Sequence, residues 1–161
     1  MEKLYAALIS AAVAFIILAL NFFIIEPRKE KRNLRKEKLK NLYAPLYILL
    51  ISQSKLAKSY NPQKPHMLFY YVKEEDKLML SRTAIHKLVF AQIGYASNEF
   101  IELWTKYSST IPQKDENLHP LAVLAIKEYN QLKKDLNLPY DEQELKTGIP
   151  EHYKELRRTS T

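Results

Sequence analysis

Four histidines are the first residues whose chemistry can be tested against their spacing. His66, His86, His119 and His152 fall in four different segments, none is paired at three or four residues, and no HExxH motif occurs. No metal site is expected from them. The run Glu74, Glu75, Asp76 supplies carboxylates, but three consecutive ones do not share a helical face, which suits a solvated turn or helix end better than an acid–base pair. Ser81 and Ser97 lack the glycine elbow of a nucleophilic serine and read as helix N-caps. Cysteine is absent, which removes disulfides, thiolate zinc sites and thiol nucleophiles together. Glycine occurs only at Gly94 and Gly148, too few for a phosphate-cradling loop or a β-barrel built on tight turns. The expectation is a protein that is not an enzyme and holds no cofactor or metal.

The residues that do stand out are apolar. Leu4 to Ile25 read LYAALISAAVAFIILALNFFII, twenty-two positions without a charge. At about 1.5 Å per residue they span roughly 33 Å, matching a hydrocarbon core of about 30 Å. Only Ser10 and Asn21 interrupt the run, so it lacks the polar stripe of a core helix. It is also too long for a signal peptide, and Asn21, Phe22, Phe23 offer no cleavage site. Within the span Ala6, Ser10 and Ala14 recur every four residues, a small-xxx-small face that permits a homo-oligomer through close helix packing.

Thirteen residues follow that decide orientation. Arg28, Lys29, Lys31, Arg32, Arg35, Lys36, Lys38 and Lys40 stand against Glu30 and Glu37. Eight cations less two carboxylates leave +6 of the chain's net +7 in this one segment. Cations near a span stay on the cytoplasmic side, so the amino terminus is expected outside and the remaining domain inside a cell membrane. A nucleic-acid domain would spread basic charge over a face of its fold, so no nucleic acid is expected as a partner. The eight cations are expected to contact anionic headgroups, at about 1 kcal/mol each near such a surface.

Proline punctuates the rest into helices. The fold class expected is mainly α: a single transmembrane helix over 1–27, a basic juxtamembrane helix over 28–40, a small helical cytoplasmic domain over 41–139 and a polar tail over 140–161. Helix formers allow the juxtamembrane segment to continue past Pro27, and Pro45 forces either a kink or a new helix holding it in the first turn. The segment near 67–80 reads either as helix or as a short β-hairpin, with helix preferred. Ile85, Leu88, Val89, Gln92 and Ile93 form one amphipathic face. Ser97 should cap a helix that turns Phe100, Ile101, Trp104 and Tyr107 inward. Residues 108–120 read as a polar loop, and Pro120 as the first-turn proline of a helix carrying Leu121, Leu124, Ala125, Glu128, Leu132 and Leu136. A short helix is expected over 151–158.

Ten tyrosines lie beyond the span, and the adjacent Tyr70 and Tyr71 cannot both face one side of a helix or strand, making them candidates for contact with a protein partner. The function expected is a single-pass membrane-anchored protein whose helical domain serves as a protein-interaction or regulatory module at the inner membrane face. The alternative is a membrane-active oligomer, holin-like or a small pore, formed through the span.

Overall fold

The computed structural model describes residues 2–60, 82–109 and 115–150. Among them the chain is helical and has no strand: α1 (Glu2–Leu20), α2 (Glu26–Lys38), α3 (Ala44–Tyr60), α4 (Arg82–Gln92), α5 (Asn98–Ser109), α6 (Asp115–Asp135) and α7 (Glu142–Thr147). The segment near 67–80 and the helix expected over 151–158 lie outside the described residues. Two compact units divide the chain, Met1–Arg35 and Lys36–Thr161.

One helix, running unbroken over Ile9–Lys55, is long and apolar enough to cross a membrane, and its apolar window is wholly unburied. Ile9, Val13, Phe15, Ile16, Ile17, Leu18 and Leu20 are all exposed. By length and composition this helix could span a bilayer.

Two π-helical turns, Asn21–Ile25 and Leu39–Tyr43, each end two residues before a proline. The amide of Glu26 donates to Asn21 O, and that of Ala44 to Leu39 O. A proline has no amide to give and its ring collides with the carbonyl four residues back. Widening the turn ahead of Pro27 and Pro45 relieves that collision, so the backbone stays helical through both. Pro45 accordingly sits in the first turn of α3.

The second unit builds its core from Leu42 of the second π turn, Leu46 and Leu50 of α3, Ile85 and Val89 of α4, Phe100, Trp104 and Tyr107 of α5, and Leu118, Leu121, Ala122 and Ala125 of α6. α6 packs against α3, α5 and α7. The Ser97 hydroxyl accepts from the Phe100 amide at 3.0 Å, the N-cap that starts α5. Ile101 is exposed, in contrast to its expected place in the core, because it lies a further 100° around the helix from Phe100.

α6 begins a full turn before Pro120, which lies inside it. The polar loop expected over 108–120 is therefore helical at both ends. Leu118, buried ahead of the proline, ties this early turn to the core, and tertiary packing overrides the local preference against helix before proline. α6 ends in a Schellman cap: Asn137 is left-handed (φ 58°), its amide donates to Lys134 O at 3.0 Å, and the Leu138 amide donates to Lys133 O at 2.8 Å.

Where a polar tail is expected from Tyr140 onward, the chain forms α7. Asp141 caps its start, accepting from the Glu144 amide at 2.8 Å, and left-handed Gly148 (φ 67°) ends it. A Cβ at Gly148 would stand 2.5 Å from both Cγ1 and the carbonyl oxygen of Val123. Gly148→Ala is expected to lower stability by about 3 kcal/mol, from left-handed strain together with a backbone clash. Thermal unfolding followed by the fluorescence of Trp104, the single tryptophan, measures it.

Candidate functional site

Glu144 is a buried carboxylate that receives hydrogen bonds from two other helices. It projects from α7 and is 6% exposed. The Tyr47 hydroxyl of α3 lies 2.9 Å from Oε2 and 3.1 Å from Oε1. Asn130 of α6, 1% exposed, donates from Nδ2 to Glu144 Oε2 and to Ile126 O, both at 3.1 Å, while its Oδ1 accepts from the Asp141 amide at 3.0 Å. In an ordinary capping box the third helical glutamate would bond that N-cap amide itself. Here Asn130 takes the amide and frees Glu144 to cross to Tyr47. The Tyr129 ring stacks on Tyr47 at 4.1 Å, with Lys133 Nζ 5.3 Å from its centre.

A second polar contact lies one turn earlier, in the π turn ahead of α3. Tyr43, 2% exposed, accepts from the Ser97 amide at 3.2 Å, and the Glu128 carboxylate faces its hydroxyl. Burial first, and then the neighbouring carboxylate, pushes the phenols of Tyr43 (Glu128), Tyr47 (Glu144) and Tyr129 (Glu144) above their usual value. Unfolded phenols titrate near pH 10, so above that pH the unfolded chain holds fewer protons than the native one and stability falls as pH rises. Below about pH 9 both states are protonated and the contribution stays intact. With the half-exposed rings discounted for screening, a loss of about 2 kcal/mol per pH unit is expected above pH 10, visible as a falling thermal midpoint.

These polar groups are structural. Both Glu144 oxygens already meet protein donors and the group is closed to solvent, so it cannot serve a substrate as acid or base. No group of three or more metal-ligating side chains occurs among the described residues. His86 lies among rings, 4.8 Å from Trp104, 5.9 Å from Tyr107 and 6.1 Å from Phe90 between ring centres. His119 is exposed, and His66 and His152 lie outside the described residues.

The remaining candidates are surfaces. Arg28, Lys29, Lys31, Arg32, Arg35, Lys36 and Lys40 are exposed and Lys38 is half-buried. Ser10 and Ala14 are exposed on α1, which also carries Ala6. Tyr70 and Tyr71 lie outside the described residues. Tyr43 and Tyr107 belong to the core, and Tyr47, Tyr95 and Tyr129 are half-buried around it. Exposed apolar side chains of the second unit instead come from Ile48, Phe90, Ile101 and Leu138, and Phe90 stands edge-on to Trp104 at 5.9 Å. The signal that could have marked Glu144 was present: Asp141 and Glu144 at capping spacing, with Gly148 at the stop.

No protein family, curated protein or solved structure matches the chain.

Proposed function

We propose that the chain is a single-pass membrane protein whose second unit works as a protein-interaction or regulatory module at the inner membrane face. The observation that carries this reading is the exposure of every described apolar side chain from Ile9 to Leu18, in a chain whose core begins only at Leu42. Such a helix needs lipid around it. The cations after the span favour a cytoplasmic second unit. Exposed Phe90, Ile48 and Ile101 supply apolar contact area of the kind interfaces bury.

Two measurements test it. In sealed, right-side-out vesicles the second unit is expected to resist external protease; its digestion would overturn the orientation. A photo-crosslinker placed at Phe90, Ile48 or Ile101 in living cells is expected to give a discrete adduct of defined mass. Only diffuse or absent adducts at all three positions would reject the interaction role.

A further inference from the structure

Two polar side chains interrupt the apolar run Leu4–Ile25, Ser10 and Asn21, and both are exposed on the helix surface. Eleven residues separate them, so at about 100° per residue they project within about 20° of each other, roughly 16 Å apart along the axis. Ala14 and Ile17, also exposed, complete the same strip, about 60° wide in all. Phe15, Ile16 and Leu20 lie outside it.

Asn21 is the costly member. Its backbone carbonyl accepts from the Glu26 amide, but its side-chain amide has no hydrogen-bond partner among the described residues. It lies about 6 Å inside the end of the apolar run at Ile25. The Cα–Cβ bond of a helical residue tilts toward the amino terminus, which in the orientation favoured by the cations is away from the nearer headgroups. A side chain this short does not reach them, and an amide left facing hydrocarbon without a partner is strongly disfavoured.

A second copy of the same strip satisfies it. The cations after the span insert every copy in the same direction, so in a pair of spans each residue meets its own counterpart at the same depth. Only a side chain that both donates and accepts can pair with itself in that arrangement. An amide and a hydroxyl do both, and they are the two polar types the span holds. Ser10, Ala14, Ile17 and Asn21 follow one another at four, three and four residues, the seam spacing of a left-handed helix pair, whose crossing of about 20° is the common one in membranes. A single asparagine at such a seam fixes register and oligomeric state. Repulsion between the basic segments beyond the span is screened over about 8 Å and reduced by anionic headgroups.

Resting on the reading of Leu4–Ile25 as a membrane span, we propose that this strip is an interface with a second copy of the chain. The two spans form a parallel pair in which the Asn21 amides bond each other and the Ser10 hydroxyls face each other across the seam.

Because native cysteine is absent, one introduced cysteine per chain reports which face is paired. Ala14→Cys lies on the strip, and Ala12→Cys lies about 160° around the helix from it and only about 3 Å away along the axis. Full-length chains in cell membranes are oxidised with copper–phenanthroline and resolved as disulfide-linked dimers. The yield at 14 is expected to exceed that at 12 at least about fivefold. Sedimentation equilibrium of the full chain in density-matched micelles is expected to show a dimer, whose dissociation constant rises about tenfold on Asn21→Leu. That substitution makes the span more apolar, so insertion is kept. Equal crosslinking at 12 and 14, a dissociation constant indifferent to Asn21→Leu, or a mass other than that of two copies overturns the proposal while the span stands, a monomer leaving the strip to another protein's span. A chain that alkaline carbonate strips from the membranes overturns the span itself and this proposal with it.

Discussion

Asn130→Ala is expected to destabilise the second unit by about 3 kcal/mol, read from thermal unfolding of the full chain in detergent by Trp104 fluorescence. The Asn130 side chain makes three hydrogen bonds at a position 1% exposed. Alanine leaves the Asp141 amide without its acceptor and Glu144 without one of its two side-chain donors. An unsatisfied buried group costs about 1–3 kcal/mol, and more when the group is charged. The comparison with Asn130→Asp is sharper still. That change nearly conserves shape, yet it replaces a donor by an oxygen about 3 Å from the Glu144 carboxylate, so the loss should equal or exceed that of alanine. Glu144→Gln should fall between wild type and Asn130→Ala, because the amide keeps one acceptor oxygen for Tyr47 and Asn130. An alanine variant within 1 kcal/mol of wild type would show that α7 is not held by this network.

The network was hard to foresee, and the reason is physical. Helical spacing of apolar residues predicts the core positions Ile85, Val89 and Trp104, because each buries area whichever neighbour covers it. Ser97 was legible because its cap bond closes within three residues. Glu144, by contrast, meets Tyr47 across 97 residues of sequence, and a glutamate in a polar stretch looks solvated until the partner helix is placed. Pro120 and the π turns belong to the same class. Local preference says where a helix is weakened at proline, while packing around Leu118, or a widened turn before Pro27 and Pro45, determines whether it continues. Tyr107 lies in the core with the stripe its spacing predicts, and Tyr43 joins it there.

Ala14→Arg combined with Ile17→Arg is expected to remove the chain from the carbonate-resistant membrane fraction. Each arginine at the centre of a span costs about 2.5–3.5 kcal/mol on the insertion scale, so the pair opposes insertion by about 6 kcal/mol. Both positions belong to the exposed part of α1, and every residue of the buried core lies at or beyond Leu42. Native Trp104 emission is therefore expected to persist while membrane retention is lost. Neutralising the eight cations from Arg28 to Lys40 with glutamine should do something different. Hydrophobic length, which decides insertion, is untouched, whereas the cation bias that decides orientation is gone, so the chain should stay integrated with mixed topology in a protease-protection assay. The two variants thus separate retention from direction. A double-arginine chain that stays in the membrane would leave the exposure of Ile9 to Leu18 without a physical cause, because water offers those side chains nothing.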